Sequence, residues 1–248
     1  MLHPRVIPVL LLKDKGLVKT TQFQNPRYVG DVVNAIHIFN DKQVDELVLL
    51  DITATIEHRE PDFDRIMQIA DECFVPFTYG GGITRLEQIT RLIRNGCEKV
   101  IINSALSPSL LRAAADKFGS QAIVASIDYR QNQVYINGGR TPIGIDPVTR
   151  VLQCVDSGCG EVLLNSIERD GMRAGYDLEL IRKVSPLCSV PLTVCGGAGS
   201  LAHFREALDC GASAVAAGSF FVFYGKQKAV LISYPTPSEK EMLEKVAC

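Results

Sequence analysis

The sequence predicts a single (β/α)8 barrel spanning residues 1–248, and two patterns support this α/β fold class. Eight short, β-branched apolar segments alternate with longer amphipathic segments along the chain, and one half of the chain repeats the other. Short apolar strands separated by helices are typical of a parallel sheet covered on both faces. An open doubly wound sheet alternates similarly but gives no reason for a half-length repeat, so eight such units favour a closed barrel.

The predicted strands are runs of four to eight residues, short enough to be buried parallel strands. In chain order they cover Arg5 to Leu12, Glu46 to Asp51, Val75 to Gly80, Lys99 to Asn103, Ala122 to Asp128, Glu161 to Asn165, Val190 to Cys195 and Ala214 to Ala217. Pro8 lacks the N–H that a strand ladder needs, so we expect a local bulge in the first strand.

The predicted helices occupy the amphipathic segments between strands, and Asp31 and Asp62 stand where N-caps are expected. They cover Asp31 to Asn40, Asp62 to Glu72, Arg85 to Asn95, Pro108 to Phe118, Asp146 to Ser157, Leu178 to Val184 and Leu201 to Asp209. The longest irregular segments, Lys13 to Gly30 and Tyr129 to Gly144, follow the first and fifth strands, on the face where such barrels carry active sites.

An offset of 115 residues aligns the two halves of the chain without gaps. It pairs identical residues at 46 and 161, 76 and 191, 78 and 193, 81 and 196, 82 and 197, 86 and 201, 96 and 211, 100 and 215, and 104 and 219. Self-similarity at a fixed offset is typical of a duplicated unit. Because no Pro-, Ser- or Gly-rich linker separates the copies, we expect half-barrels of about 1–120 and 121–248 within one domain.

The composition excludes several classes of protein. With 26 Lys+Arg against 28 Asp+Glu, the formal net charge is −2, and a nucleic-acid partner would require clustered excess positive charge. The apolar runs are far shorter than the ~20 residues that cross a bilayer, and the N-terminus lacks the pattern of a signal peptide. We therefore expect a cytoplasmic protein that binds neither nucleic acid nor membrane.

The eight cysteines form no CxxC pair and lie mostly in apolar runs, while the four histidines are scattered. Free cysteine behaves as a small hydrophobe in a reducing compartment. We expect free thiols in the core, no structural zinc site and no cofactor.

Two glycine-rich strand ends carry the strongest chemical signal. They are Gly80-Gly81-Gly82 and Gly196-Gly197-Ala198-Gly199, each followed one unit later by a small polar pair, Asn103-Ser104 and Gly218-Ser219. Glycine lets backbone amides approach an anion closely, and amides at a helix N-terminus bind phosphate. Tight strand-to-helix turns would explain one copy, but two related copies predict a substrate with two phosphates. Asp170 and Gly171, in the turn after the sixth strand, could add donors or form an ordinary surface turn.

The acid and base candidates are Asp51 and Asp128, because carboxylates at strand C-termini face the barrel mouth, where burial can tune their pKa values. Lys19, in the first long segment, could reach over the mouth as a mobile cation or remain solvated. At the opposite end, four strands begin with Arg5, Glu46, Lys99 and Glu161. Taken singly these are ordinary exposed charges, but together they could form a neutral ring that closes the barrel floor and leaves a polar route through it.

A set of motifs runs through nearly the whole chain in a fixed order, including RVIP, KDxG, LDITA, GGGI, EKVIINS, SIDYR, RDG, GYDLELI and CGGAG. In this order and spacing, they resemble the cyclase subunit of imidazole glycerol phosphate synthase. The resemblance implies a barrel that binds a glutaminase at its N-terminal face and passes ammonia to a bis-phosphorylated small molecule at the other. In the histidine pathway, the products are imidazole glycerol phosphate and an aminoimidazole carboxamide ribotide.

The resemblance also implies residue roles. Arg5, Glu46, Lys99 and Glu161 match the family's ammonia gate, and Glu98 stands where an acidic residue contacts the glutaminase. Asp128 matches one of two catalytic aspartates, and Lys19 matches a mobile loop lysine. One phosphate site is matched by Gly82, Asn103 and Ser104, and the other by Asp170, Gly171, Gly197, Gly218 and Ser219.

The second catalytic aspartate of the family is replaced in this chain. The first strand ends VLLLKDKG where the family has a CLDVKDG-like run, which places Leu11 at the acid/base position. Leucine cannot transfer a proton, and losing a catalytic carboxylate commonly removes ~10² to 10⁴ of rate. Asn165, Lys15 and Thr20 also depart from the family. LLLKDxGLVKT together with AVLISYP near the C-terminus resembles a paralogous branch found with bacterial surface-sugar clusters, in which glutaminase and barrel would supply ammonia to a separate amidotransferase that makes acetamidino sugars.

Two functions follow from these patterns. The barrel is a lyase and cyclase in which Asp128 transfers protons alone or with Asp51 replacing the lost group, or it chiefly conducts ammonia for amidination of a nucleotide-linked sugar. In the second case the phosphate sites hold a sugar nucleotide, an effector or nothing. We favour the second, because the lost carboxylate acted through its ionisable oxygen. A phosphorylated-sugar isomerase is a weaker alternative, since such enzymes use two opposed carboxylates and need no gate.

Overall fold

The structure is a computed structural model that describes residues 4–225 and 227–244. Of the cysteines considered above, Cys248 lies outside these residues, as does His3 among the histidines, and the seven described cysteines are free thiols. In chain order the strands are β1 (Arg5–Lys13), β2 (Gly16–Thr21), β3 (Gln24–Gly30), β4 (Leu47–Asp51), β5 (Phe77–Gly80), β6 (Lys99–Ile102), β7 (Ile123–Arg130), β8 (Gln133–Ile136), β9 (Thr141–Pro142), β10 (Glu161–Ser166), β11 (Leu192–Cys195), β12 (Ala214–Ala217), β13 (Phe223–Tyr224) and β14 (Ala229–Val230).

Eight of these strands close into a parallel barrel in the order β1, β4, β5, β6, β7, β10, β11 and β12, with β12 paired back to β1. The helices between and after the strands are α1 (Val32–Asp41), α2 (Phe63–Asp71), α3 (Leu86–Arg94), α4 (Pro108–Phe118), α5 (Pro147–Asp156), α6 (Leu178–Val184), α7 (Leu201–Asp209), α8 (Ser219–Val222) and α9 (Pro237–Glu244). The predicted (β/α)8 barrel is therefore confirmed. No helix within the described ranges combines the length and apolar character that a membrane crossing requires.

Local sequence explains where the helices begin. The carboxylates of Asp31 and Asp62 accept the N–H groups of Asn34 and Arg65, at 3.0 and 3.2 Å, as N-caps do. Both predicted caps are confirmed. Alternate strand residues separate into two apolar clusters, because successive side chains point to opposite faces. The outer cluster, which includes Val6 and Leu10, packs against the helices, and the inner one, which includes Ile7 and Val9, fills the barrel.

The expectation of a bulge at Pro8 is wrong. The register of β1 against β12 runs from Arg5 opposite Ala214 to Pro8 opposite Ala217 without a shift. Ala217 is the last residue of β12. The missing N–H therefore falls at the end of this ladder, where it interrupts little.

The two segments expected to be irregular form antiparallel hairpins instead. β2 and β3 extend β1 between residues 13 and 30, and β8 and β9 extend β7 after residue 130. Both hairpins continue barrel strands beyond their C-terminal ends. They therefore make walls around the mouth of the barrel.

Candidate functional site

Four charged side chains meet at the N-terminal end of the barrel. Arg5 contacts Glu46, and its Nη2 lies 2.9 Å from Glu161 Oε1. Lys99 Nζ lies 2.8 Å from Glu46 Oε2 and 2.9 Å from Glu161 Oε2. Each carboxylate therefore contacts both cations, and the four residues form one closed set of ion pairs, called here the charged ring.

Two threonines complete the hydrogen bonds of the ring. Thr78 Oγ1 donates to Glu46 Oε1 at 2.7 Å, and Thr193 Oγ1 donates to Glu161 Oε1 at 2.6 Å. Burial disfavours the charged carboxylate of Glu161, but Arg5 and Lys99 outweigh it and lower its pKa overall. The sequence pattern did not predict this role for the threonines. The 115-residue offset nevertheless pairs Thr78 with Thr193, as it pairs Glu46 with Glu161.

The barrel interior above the ring is apolar. Its lining comes from inward-facing positions of the strands, namely Ile7, Val9, Val48, Ile101, Val124, Leu163, Ala214 and Ala216. The expected polar route stays a prediction, while the alternation of strand residues places these hydrocarbon side chains above the ring. A small neutral molecule can cross such a lining, whereas an ion would lose its hydration without compensation.

A cavity of about 620 Å³ opens at the C-terminal ends of the strands. Of the residues that the sequence analysis assigned to catalysis or phosphate, its lining includes Lys19, Asp51, Gly81, Gly82, Asn103, Ser104, Asp128, Asp170 and Gly218. Gly171, Gly196, Gly197 and Ser219 are placed outside this lining in the described structure. The topology thus brings all of the first predicted phosphate site and both predicted aspartates to one cavity.

Asp128 is a buried carboxylate held by three polar neighbours. Its oxygens accept from Asn165 Nδ2 at 3.1 Å, Asn103 Nδ2 at 3.2 Å and Ser126 Oγ at 3.5 Å. Burial raises the pKa of Asp128 from 3.8 to about 7, against the hydrogen bonds from Asn165 and Ser126, which lower it. A carboxyl group with this pKa can both give and accept a proton near neutral pH.

Asp51 is held by contacts within its own loop, which argue against its predicted role as a substitute acid or base. Its carboxylate lies 2.8 Å from Arg59 Nη2 and accepts the N–H groups of Thr53 and Ala54, each at 3.0 Å. These contacts hold the loop after β4. On β4 the neighbour of Leu11 is Leu50, and the next pair along the two strands is Leu12 and Asp51. We therefore assign Asp51 to the loop, as a correction to its candidate role in proton transfer.

Lys19 is a buried strand residue, which corrects its expected position on a mobile loop. It lies on β2, between β1 and β3, and its Nζ donates to the carbonyl of Val9. Burial lowers the pKa of Lys19 to about 8, although the carboxylate of Asp170 opposes this shift. A lysine of this kind exchanges a proton far more readily near neutral pH than a solvated one.

The duplicated glycines occupy equivalent turns. Gly81 and Gly196 have φ values of 123° and 91°. A Cβ at Gly81 would lie 2.4 Å from the carbonyl of Asp51, and one at Gly196 would lie 2.5 Å from the carbonyl of Ser166. The numbering difference is 115 in both pairs, so the repeat extends to these contacts. This close approach explains why each turn needs glycine. A requirement for tight strand-to-helix turns is the alternative to phosphate binding that the sequence left open.

The polar groups of the first predicted phosphate site are already hydrogen-bonded to their neighbours. Gly82 N donates to Thr55 Oγ1 at 3.3 Å. Ser104 Oγ donates to Asn103 Oδ1 at 3.1 Å and accepts the N–H of Asn137 at 2.9 Å. An anion held there would exchange the long Gly82 bond for a stronger, charge-assisted one.

Asp170 anchors the β2–β3 hairpin instead of facing a phosphate. Its carboxylate accepts from Thr20 Oγ1 at 2.7 Å and from the N–H of Phe23 at 3.3 Å. Its own N–H donates to the carbonyl of Ser166 at 3.0 Å. The N–H that phosphate binding would require is thus engaged in a turn, and the phosphate role of Asp170 stays a prediction. Gly171, with a φ of 71°, packs against the carbonyl of Thr20 in the same contact.

The relatives of this chain match it over nearly its whole length. The profile of a family described as histidine biosynthesis protein matches residues 5–228. The putative imidazole glycerol phosphate synthase subunit HisF of Leptospira interrogans is 45% identical over 252 residues, covering 98% of this chain and 99% of the relative. The putative subunit hisF2 of Pseudomonas aeruginosa is 49% identical over 244 residues, covering 95% and 97%. The chain belongs to the HisF-type family of imidazole glycerol phosphate synthase subunits.

A third HisF relative carries the name without the word putative. It is the imidazole glycerol phosphate synthase subunit HisF of Thermobifida fusca, which is 42% identical over 231 residues, covering 88% of this chain and 90% of the relative. The family is an enzyme family, and the resemblance stated from the motifs is confirmed at that level.

Two cavity residues of this HisF-type barrel were missed as site residues by the sequence analysis. Asn165 and Ser126 occupy inward positions, two residues beyond Leu163 and Val124 on their strands. Counting every second residue from the ring to the mouth would have found them. Asn165 Oδ1 is buried and has no hydrogen-bond partner in the described structure.

Cations of the HisF cavity were also missed, for a different reason. Arg130 and Arg140 line the mouth from the β7, β8 and β9 hairpin region, and Lys13 lines it from the end of β1. The sequence predicts an irregular segment here, and it gives no signal for whether these charged side chains face the cavity or the solvent. Glu98, at the opposite end, is exposed immediately before β6, where a partner could reach it.

Proposed function

We propose that this HisF-type chain is the ammonia-receiving subunit of a glutamine amidotransferase. The observation that carries this proposal is the charged ring at the floor, which leads into an apolar interior and then to a cavity with a proton-transfer carboxylate. A glutaminase docked at the N-terminal face, near the exposed Glu98, would release ammonia at the ring. The neutral molecule could then cross the barrel to the cavity.

We propose further that the ammonia serves amidination of a nucleotide-linked sugar by a separate amidotransferase. The supporting observation is Leu11, which stands beside Leu50 where an acid/base carboxylate is required for cyclase chemistry. Asp128, with a pKa of about 7, remains to exchange a single proton with a molecule bound in the cavity. A phosphorylated small molecule in the cavity would be held by the amide of Gly82 and by Ser104, whereas the predicted second phosphate site at Gly197 and Ser219 lies outside the cavity lining.

Replacing Lys99 tests ammonia conduction. In the complex with the glutaminase and the acceptor enzyme, Lys99→Ala should leave glutamine hydrolysis active but release most of the ammonia to solvent, because the ring loses a cation shared by two carboxylates. The measurement is free ammonia per glutamine hydrolysed. Lys183→Ala is a matched control, since Lys183 pairs with a single exposed glutamate. Equal coupling in the two variants would count against the gate.

Authentic cyclase activity is the second candidate, favoured by the retained Asp128 and the HisF relatives. With ammonium salt and the ribulosyl formimino substrate, the unmodified chain should turn over at least about 10²-fold more slowly than a HisF enzyme with both aspartates. Leu11→Asp should recover part of this loss, and Leu11→Asn, which has similar size but no ionisable oxygen, should not. Robust turnover by the unmodified chain would establish the histidine-pathway reaction instead.

A further inference from the structure

The sheet has a gap beside the charged ring, between β1 and β4. β1 pairs with β12 from Arg5 to Pro8 but with β4 only from Val9 to Leu12 in the described sheet. The lower part of β1 therefore meets the residues before β4 without a backbone ladder. Arg5 and Glu46, two members of the ring, stand on the two sides of this gap.

A side chain from the C-terminal segment fills the gap. The hydroxyl of Tyr234 donates to the carbonyl of Val6 at 2.8 Å and accepts the N–H of Asp45 at 3.2 Å. The Asp45 carboxylate in turn accepts the N–H of Val6 at 2.8 Å. Val9 is opposite Val48, and extending this register by three residues toward the N-terminal ends places Val6 opposite Asp45. The Tyr234 hydroxyl therefore occupies the place of a hydrogen bond between the two backbones.

The tail holds Tyr234 in this position through further contacts. Its ring stacks on Phe221 with centroids 5.7 Å apart. Lys240 on α9 pairs with the Asp45 carboxylate and lies 5.6 Å from the centroid of the Tyr234 ring. α9 itself begins at a capping box, in which Thr236 Oγ1 and Glu239 Oε2 bond the backbone N–H groups of Glu239 and Thr236. Tyr234, Asp45 and Lys240, called here the clasp, therefore connect the C-terminal segment to β1 and to the residues before β4.

The clasp acts on the residues next to the ring. Val6 follows Arg5 directly and Asp45 precedes Glu46, so the separation of the two backbones sets the separation of the two ring side chains. We propose that Tyr234 is a positioning residue that holds Arg5 and Glu46 together and keeps the ring closed to leakage between β1 and β4. This inference rests on the proposed conduction of ammonia through the ring.

Tyr234→Phe removes the hydroxyl while keeping the aromatic packing, and leaves the carbonyl of Val6 and the N–H of Asp45 unpaired. In the complex with the glutaminase and the acceptor enzyme, we expect free ammonia per glutamine hydrolysed to rise at least threefold. Amide exchange at Asp45 and Val6 should accelerate at least tenfold relative to the unmodified chain. Lys240→Ala, at a partly exposed residue, should shift both quantities in the same direction by less.

Tyr176→Phe is the matched control, because this buried tyrosine also donates its hydroxyl to a strand carbonyl, that of Ala216 at 2.9 Å, above the ring. It should lower the unfolding midpoint to a similar degree without raising the leak. Equal leaks in the two tyrosine variants, or no leak in either, would overturn the proposal. If Lys99→Ala raises free ammonia per glutamine hydrolysed but Tyr234→Phe and Lys240→Ala do not, only the role of the clasp is contradicted. If Lys99→Ala does not leak, ammonia conduction itself fails, whatever the exchange rates show.

Discussion

At the scale of single residues, Asp128 and Leu11 determine which proton transfers the cavity can support. Asp128 keeps its carboxylate under amide and hydroxyl donors, and burial shifts its pKa to about 7. Leu11 also lines the cavity, and it presents hydrocarbon where the motif resemblance predicts a second carboxylate. One group that titrates near neutral pH suits a single proton transfer better than a reaction that needs an acid and a base together.

The raised pKa of Asp128 predicts a specific pH dependence of stability. The folded state binds this proton more tightly than the unfolded chain, so the contribution is fully present below pH 4 and is lost as the pH rises to about 7. Asp128→Asn lacks this titration. The unfolding free energy of the unmodified chain, minus that of the variant, should therefore fall by up to about 4 kcal/mol across that range and stay level above it.

Urea unfolding of both proteins at several pH values between 4 and 8 measures this difference. Other groups titrate in both proteins and cancel in the subtraction. A difference that does not change with pH would mean that Asp128 stays ionised in the folded protein, and would remove its assignment as the group that transfers protons at neutral pH.

At the scale of elements, the glycine turns and the two hairpins shape the cavity. The turns after β5 and β11 bring Gly81 and Gly196 against the carbonyls at the ends of the preceding barrel strands. The hairpins then raise the cavity wall above β1 and β7. Tight turns at the strand ends keep backbone amides at the cavity edge, which is a requirement for holding phosphate without a basic side chain.

Gly196→Ala should destabilise the chain by about 2 to 4 kcal/mol, since its Cβ would lie 2.5 Å from a backbone carbonyl at a φ of 91°. Gly144→Ala provides the matched control, because Gly144 has a φ of 70° and no atom within 4 Å of the added Cβ. It should cost only the conformational strain, about 1 kcal/mol. Guanidinium unfolding of both variants checks this, and equal losses would show that the turn has room to relax.

At the scale of the whole molecule, the charged ring joins parts of the chain that are far apart in sequence. Arg5, Glu46 and Lys99 come from the first predicted half and Glu161 from the second, and Thr78 and Thr193 bond the two glutamates in the same way. Closure of the barrel is what brings these strand starts together. Neither half alone would neutralise its own charges as the closed ring does, so the floor is a property of the complete barrel.

The same closure gives the two ends and the middle of the barrel interior different kinds of side chain. Charged groups stand at one end, hydrocarbon lines the middle and a polar cavity lies at the other end. The side chains of the inner apolar cluster offer no hydrogen bond to a neutral molecule released at the floor. The arrangement therefore supports transfer from one face to the other, and the two proposed partners would act at opposite ends.

The amino-acid pattern alone determined the barrel, its eight strands and the duplicated glycine turns, whereas the replacement of a family aspartate by Leu11 stays a prediction from the motif resemblance. These features are encoded locally, by the two-residue period of strands, by caps such as Asp31 and by a repeat that can be aligned along the chain. The division into half-barrels remains a prediction from that repeat. The residues of the ring were also foreseen, because each begins a predicted strand, although Glu46 lies immediately before β4 in the structure.

Only the tertiary structure decided which side chains these residues contact. The pairing of Asp51 with Arg59, the burial of Lys19 on β2 and the anchoring of the hairpin by Asp170 all depend on loops whose course no period describes. Tyr234 is the clearest case, since its hydroxyl reaches the carbonyl of Val6, 228 positions away in the chain. Contacts of this kind arise from the closed packing of the barrel, in which the energy of each hydrogen bond depends on distant backbone groups that the local sequence does not specify.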